Sequence, residues 1–561
     1  MATHWRLQGL VIVFCLSAVL IIGKLFYWQV LQGDRLSALA NSQYFSEEEI
    51  TAPRGLILTS DNYPLVQNTQ AYLVYGFLKD IKNSSIEIAS VFEKILGVDK
   101  NLISEKLDNK DVSWVSLARK IDRFQKAEIE KSNFPGIGFE EELKREYPEG
   151  SMAGQLLGFV GKDSIGKDKG YFGLEGFYNR ELTGRPGILK MEKDASGRPI
   201  LIGTQSQEQV ISGRDLKLFL DRQIQFMTEN KLKEGLFKYG AKSGSVVIMD
   251  PYTGGIIAMA SFPSYDPDNF GSYPNIYYPN PAVTESFEPG SIFKVVMMAA
   301  AINEQAVKPD DRCTQCDGAR TIGEYMIKTY NDKYHPNLTM PEILLYSDNV
   351  GMVYVADKLG KEKELAYIKN FGFGDTTGID LEEESTPPLR KDEDWAPIDF
   401  ATAAFGQSIA ITSLQMVTAV GAIANGGNLL IPRMVDQIIT KDKTIETQLK
   451  VRRNVIKEST AKIITEMMVN AVDKGEAAGF KSPGYRVAGK TGTAQIPIAG
   501  HYDETKTIAS FVGFAPADKP RFVMLVTMRE PSVSQWGSRT AAPLWFDIAK
   551  DIFLMWKIPP Q

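Results

Sequence analysis

Ser291 stands three residues before Lys294, directly after Pro289-Gly290 and at the head of the apolar run Val295–Ile302. The proline-glycine pair makes a turn, and the run after it has helix-forming composition with no breaker. The spacing predicts a helix whose first turn holds Ser291, with Lys294 one turn further along the same face. A serine hydroxyl is a poor nucleophile near neutral pH and needs a base, and a neutral lysine within reach accepts its proton. Backbone N–H groups at a helix start favour an oxyanion. An ordinary helix start carries the same letters, because Ser-x-x-Lys arises by chance in most long chains.

Two further stretches narrow the chemistry. Ser347-Asp348-Asn349 follows the apolar Ile343-Leu344-Leu345, and Lys490-Thr491-Gly492-Thr493 continues the strand-like Tyr485–Gly489. Ser-x-x-Lys, Ser-Asp-Asn and Lys-Thr-Gly in that order are the set of penicillin-binding proteins and class A β-lactamases. Their flanks are Phe287-Glu288-Pro289-Gly290, Val350-Gly351, and Val487-Ala488-Gly489 with Ala494-Gln495. On these residues the chain resembles a class B penicillin-binding protein, with flanks closer to the cell-division transpeptidases than to those of elongation.

The resemblance implies a two-step acyl transfer on peptidoglycan stem peptides ending in D-alanyl-D-alanine, without a cofactor or a metal. It implies Ser291 as nucleophile, Lys294 as base, Ser347 as proton relay, and Asn349 on the substrate backbone, with Asp348 turned away. Burial and the charge of Lys490 would depress the Lys294 pKa. The N–H groups of Ser291 and Thr493 would form an oxyanion hole. Lys490, Thr491, Gly492 and Thr493 would hold the terminal carboxylate end of a peptide added along their strand. The implied partners are stem peptides, β-lactams, a glycosyltransferase and membrane proteins of the divisome.

The elements that must position these residues are legible in outline. The 561 residues exceed one core, and net charge −6 carries no basic signature for nucleic acid. Leu7–Gly23 is apolar except for Gln8 and is followed by Lys24 and the interfacial Tyr27-Trp28. This predicts an uncleaved membrane anchor over 7–31, with 1–6 as a cytoplasmic tail and the remainder extracytoplasmic. Arg6 is the only Lys or Arg before the run. Ala38-Leu39-Ala40 resembles a signal-peptidase site but lies far from the run.

Residues 32–215 are expected to form an elongated α/β pedestal. Ala52–Leu58, Arg145–Ala153, Gly173–Gly176 and Leu182–Gly187 resemble the pedestal boxes of the family, although Thr59–Tyr63 replaces its usual turn after the first. Arg54, Arg145 and Glu175 are read as architectural. Residues 216–561 are expected to form the penicillin-recognising transpeptidase fold, giving an α+β chain. A strand at Gly213–Leu220, a helix at Arg222–Phe237, and a hairpin of Val246–Met249 and Ile256–Met259 open it. Strands at Tyr485–Gln495, Ile508–Phe514 and Arg521–Met528, then a helix at Ala542–Trp556, close it. Together they imply one antiparallel sheet covered by helices.

Rival readings use the same serine. A class A β-lactamase would need a Glu-x-x-Leu-Asn loop, which is missing between Asn349 and Lys490. A β-lactam receptor normally has more spans or an effector, and an elongation-type transpeptidase or an inactive scaffold shares the motifs. Cys313 and Cys316 have too few companions for zinc. An oxidising compartment would join them as a disulfide, with two idle thiols as the alternative. Gly406–Thr412 resembles a segment near the family's active site, and helix capping by Ser408 or Thr412 explains it equally. Tyr502 and Trp536 are expected in loops, and Glu382–Glu384 as a solvated run.

Overall fold

The computed structural model describes residues 4–37, 45–109, 111–192, 205–330, 332–498 and 501–560. They divide into two compact units, Met1–Pro53 with Gly184–Gly213, and Arg54–Thr183 with Arg214–Gln561. In the first, α1 (His4–Phe26) continues to Leu31, and this stretch has a mean hydropathy of 2.5. It is the one helix among the described residues long and apolar enough to cross a membrane, consistent with a single-pass anchor. The Ala38-Leu39-Ala40 triplet lies outside the described residues. The same unit holds an antiparallel sheet of Phe45–Ile50, Gly187–Glu192 and Gln205–Gln207.

The second unit begins with β1 (Ile57–Leu58), β2 (Pro64–Phe77), α2 (Ser85–Leu96), α3 (Lys100–Asp108), β3 (Trp114–Ile121) and β4 (Ile137–Glu146). Both β3 and β4 pair antiparallel to β2. Ile88 and Phe92 of α2 and Ile103 of α3 close a small core over Val74 and Leu117. The sheet continues from β1 to β5 (Asp215–Leu218) in parallel, then to Val435–Ile439 and Thr444–Glu446. Strands separated by more than two hundred residues therefore share it, a long-range pairing that local periodicity does not reveal.

Arg54, Arg145 and Glu175 meet at α4 (Gly173–Phe177). Glu175 is fully buried, and one carboxylate oxygen accepts from Arg54 Nε at 2.6 Å while the other accepts from Arg145 Nε at 2.7 Å. Burial alone would raise its acid, but the two guanidinium charges outweigh that and hold it below its usual value. The acidic run beside α4 corrects an expectation. Glu382 accepts from the Phe172 N–H, Glu383 from Gly173 and Asn280, and Glu384 from Thr377 and Gly378. All three close backbone turns, and Glu383 and Glu384 are half-buried while Glu382 stays exposed as expected, because orphan N–H groups at helix and turn starts need acceptors.

The C-terminal part of this unit is built on one five-stranded antiparallel sheet. Its elements are α5 (Arg222–Tyr239), β6 (Ser243–Met249), β7 (Ile256–Phe262), α6 (Lys294–Asn303), α7 (Asn349–Leu359), α8 (Ser413–Ala424), α9 (Glu458–Lys474), β8 (Ala488–Ile498), β9 (His501–Ala515), β10 (Phe522–Arg529) and α10 (Ala541–Met555). The strand order is β7-β6-β10-β9-β8, so β8 is an edge strand. Both faces are covered. Val246, Ile248, Met524 and Val526 pack with α5 and α10, while Val247, Met249, Val523 and Leu525 pack with α6, α8 and α9. Burial on both sides explains why these strands read as continuous apolar runs. Asp221 caps α5 by accepting from the Gln223 and Ile224 N–H groups, and Gly240 closes it in the left-handed region at φ 63°. The expected sheet is present, with strand ends shifted by a few residues. Tyr502 lies on β9, not in a loop, because β8 and β9 extend past Lys490–Thr493 as one long hairpin.

Candidate active site

Ser291 lies in a 3-10 turn, Gly290–Phe293, that runs into α6, so Lys294 follows on the same face as its spacing predicts. Gly290 has φ +56°, a left-handed conformation open to glycine at little cost, and its N–H donates to the Gly406 carbonyl at 2.9 Å. The turn packs directly on β8. A methyl group on Gly492 would lie 2.8 Å from Ile292 Cγ2 and 3.2 Å from the Pro289 carbonyl, so only glycine lets the edge strand come this close to Ser291.

Ser291, Ser347, Asn349 and Lys490–Thr493 line a cavity of about 500 Å³, walled also by Tyr330, Trp536 and Glu476. Lys294 Nζ donates to the Ser347 carbonyl at 2.6 Å and to Asn349 Oδ1 at 2.7 Å, and stands 3.3 Å from Ser347 Oγ. Lys490 Nζ approaches the same hydroxyl at 3.0 Å from the other side. Ser347 can present both groups because it sits at φ +54°, sparsely populated for a residue with a side chain and costly by ~1–3 kcal/mol. Asp348 faces away, accepting from the Gly351 N–H at 2.8 Å as the cap of α7. Asn349 Nδ2 donates to the Lys328 carbonyl at 3.0 Å.

Two buried lysines thus converge on one serine, and no carboxylate bonds to either among the described residues. Burial, and then the positive charge of Lys490, hold Lys294 well below the usual lysine value, against a smaller opposing pull from Asp348. Burial brings Lys490 down to about 8, against a smaller opposing pull from Glu476. A neutral Lys294 has two N–H bonds, which the Ser347 carbonyl and Asn349 Oδ1 satisfy, and its lone pair remains for a hydroxyl proton. The arrangement suits proton abstraction from serine and attraction of an anion at Lys490.

All the residues expected to carry chemistry meet here, while Arg54, Arg145 and Glu175 lie with the pedestal strands. Thr493 Oγ1 accepts from the Gly537 N–H at 3.0 Å, which ties β8 to the loop carrying Trp536. Thr412 caps α8, as one expectation had it, while the Ser408 N–H donates to Glu288 at 3.0 Å. Sequence reading missed Tyr330, whose ring meets Trp536 edge-on at 5.5 Å and whose hydroxyl donates to Glu476 at 2.9 Å. It lies in an irregular segment where no periodicity marks it. Cys313 and Cys316, upstream of that segment, are joined as a disulfide.

Comparison with known proteins follows the same division. Residues 244–554 match the family of the penicillin binding protein transpeptidase domain, and residues 49–218 that of the penicillin-binding protein dimerisation domain. The chain is 34% identical to stage V sporulation protein D of Bacillus subtilis, over 96% of this chain and 84% of that protein. It is 29% identical to the peptidoglycan D,D-transpeptidase FtsI homolog of Mesostigma viride, over 98% and 96%. It also resembles a peptidoglycan synthetase crystal structure from Bifidobacterium adolescentis, with TM-score 0.74, 28% identity, and coverage of 92% and 98%.

Proposed function

Because this chain belongs to the class B penicillin-binding proteins and is a serine D,D-transpeptidase of peptidoglycan synthesis, we propose that Ser291 is its nucleophile and Lys294 its base. Ser291 Oγ attacks the carbonyl of the penultimate D-alanine, and its proton passes to Lys294 Nζ. The N–H groups of Ser291 and Thr493 hold the resulting oxyanion, each worth ~3 kcal/mol. The C–N bond then breaks, and Ser347 relays the proton from Lys294 to the departing D-alanine amine. In the second step an amine of a neighbouring stem attacks the acyl carbonyl, its proton returns through Lys294, and Ser291 recovers its own. Lys490, Thr491 and Thr493 hold the terminal carboxylate, and Gly492 lets β8 approach the reacting carbon. Asn349 orients Lys294 and the substrate backbone.

The observation that supports these roles is the pair of buried lysines on Ser347 Oγ beside the serine-bearing turn. A labelled penicillin tests them. It should attach to Ser291 and persist, because the sequence between Asn349 and Lys490 lacks the Glu-x-x-Leu-Asn loop that activates water in class A enzymes. Rapid release of hydrolysed drug, or attachment to Ser347, would overturn the assignment.

The chain organisation in this reading is a cytoplasmic tail over 1–6, an anchor over 7–31, a pedestal over 32–215 and a catalytic domain over 216–561. Catalysis takes place outside the membrane, in septal wall synthesis beside a glycosyltransferase and divisome proteins, as the motif flanks suggest. The 34%-identical relative named for sporulation favours a second setting, wall synthesis in spore formation. A fluorescent fusion concentrated at the vegetative septum supports the first, and one confined to sporulating cells supports the second.

A further inference from the structure

The second step of the transfer needs an amine. It enters by the path on which D-alanine leaves, because making and breaking the C–N bond pass through the same tetrahedral geometry. The departing D-alanine carries the carboxylate held at Lys490, so the space it vacates lies at the Lys490 end of the cavity. Three loops wall this cavity. Tyr330 follows the short strand Tyr325–Ile327, Glu476 lies between α9 and β8, and Trp536 lies between β10 and α10. The Tyr330 and Trp536 rings meet edge-on at 5.5 Å, and the Tyr330 hydroxyl donates to Glu476 Oε1 at 2.9 Å. Both sides of this wall are tied to the reacting groups. The Gly537 N–H, next to Trp536, donates to Thr493 Oγ1 at 3.0 Å. Asn349 Nδ2 donates to the carbonyl of Lys328, two residues before Tyr330, at 3.0 Å.

Two carboxylates line the cavity, and Asp348 is turned away as the cap of α7. Glu476 is exposed, forms no ion pair among the described residues, and accepts one phenol hydroxyl, which leaves most of its lone pairs open. It is close enough to Lys490 to pull on its charge. An amine in water arrives as an ammonium, which a carboxylate and aromatic faces both attract. Lys333 and Lys474 line the same cavity, and a stem that offers an amine also ends in a carboxylate for them to meet. We infer that Glu476, beside the Tyr330–Trp536 pair, binds the ammonium of the acceptor stem. On leaving Glu476 the ammonium gives one proton to solvent. The neutral amine then forms its C–N bond as the ester bond to Ser291 Oγ breaks, and its next proton reaches that oxygen through Lys294. Glu476 thereby favours transfer to an amine over transfer to an uncharged nucleophile.

This inference rests on the assignment of Ser291, and the test keeps the two apart. The full-length protein in detergent is given a synthetic donor ending in D-alanyl-D-lactate, with glycinamide and methanol together as acceptors. Glycinamide is an ammonium at neutral pH, and methanol is uncharged. The ratio of amide to methyl ester formed is set by acceptor choice and not by the rate of acylation. Glu476→Gln should lower that ratio by about fivefold, as loss of an ion pair open to water does. Glu476→Lys, which reverses the charge, should lower it further. Weaker charge on Lys490 in these variants would favour the ammonium, so it cannot produce the fall. A ratio equal in the wild type and both variants overturns the acceptor role, as does a wild type that forms no amide. Parallel labelling of the wild type with a penicillin separates the readings. Failure to label Ser291 overturns the catalytic assignment and this inference with it, whereas labelling with an unmoved ratio overturns this inference alone.

Discussion

The pedestal and the active site each bury a cluster of ionisable side chains, and they are built in opposite ways. At the pedestal, Glu175 lies between Arg54 and Arg145, so the buried negative charge is compensated on both sides and its acid is held low. At the active site, Lys294 and Lys490 share Ser347 with no carboxylate bonded to either among the described residues, and both are pushed down. Compensated charge locks geometry. Uncompensated like charge keeps a group near its neutral form, which is what a base requires. The molecule spends its ion pairs on architecture and withholds them from chemistry.

The largest effects should come from removing the groups that make the active site uncompensated and reactive. Ser291→Ala should abolish covalent penicillin labelling. Lys294→Met should slow acylation by roughly 100- to 10,000-fold, as loss of a general base does. The same variant should melt no lower than the wild type, because it replaces a lysine that burial disfavours with an apolar chain of similar length. A large fall in its melting temperature would mean that Lys294 is structural.

The pedestal should behave in reverse. Glu175→Gln leaves two buried guanidinium groups facing a neutral amide, and breaking a buried pair in this way costs ~3–5 kcal/mol. Denaturant unfolding should register that loss, while the fraction still folded should be acylated at nearly the normal rate. Slow acylation of folded material would show that the two clusters are coupled.

The pH profile sharpens the contrast. Acylation should rise with pH as Lys294 loses its proton, at a pH well below an ordinary lysine. It should fall again above about 8, where Lys490 gives up the charge that attracts the carboxylate. Lys490→Arg stays charged and should move the falling limb upward while leaving the rising one. A profile that rises only near pH 10 would contradict a depressed Lys294.

The smallest effect concerns Glu364, a buried carboxylate in the first turn of the Lys361–Asn370 helix and a member of neither cluster. Burial, then Asp357, raises it to about 8. Its folded form keeps a proton that the unfolded chain releases from about pH 4.5 upward, so its stabilising effect is present at low pH and lost as pH rises toward 8. The slope is at most ~1.4 kcal/mol per pH unit. Glu364→Gln should flatten that part of the stability curve, and an unchanged curve would mean that water reaches the carboxylate.

The sequence alone determined what depends on local chemistry. Ser-x-x-Lys after Pro289-Gly290 marked a helix start, because turn formation and helix propensity act over a few residues. The runs of β6, β9 and β10 marked buried strands, because covering both faces of a sheet removes alternation. The apolar stretch from Leu7 marked a helix long enough for a bilayer, because length and hydropathy are additive along the chain. What only tertiary structure decided depends on groups far apart in sequence. The pairing of β5 with β1 and with Val435–Ile439, the turning of Glu382–Glu384 onto backbone N–H groups, and the Tyr330–Trp536 wall leave no local trace. The state of Lys294 belongs with them. A lysine in a sequence is a cation by default, and only the burial of Lys294 beside Lys490, with its two N–H bonds taken by the Ser347 carbonyl and Asn349, leaves it a lone pair to use.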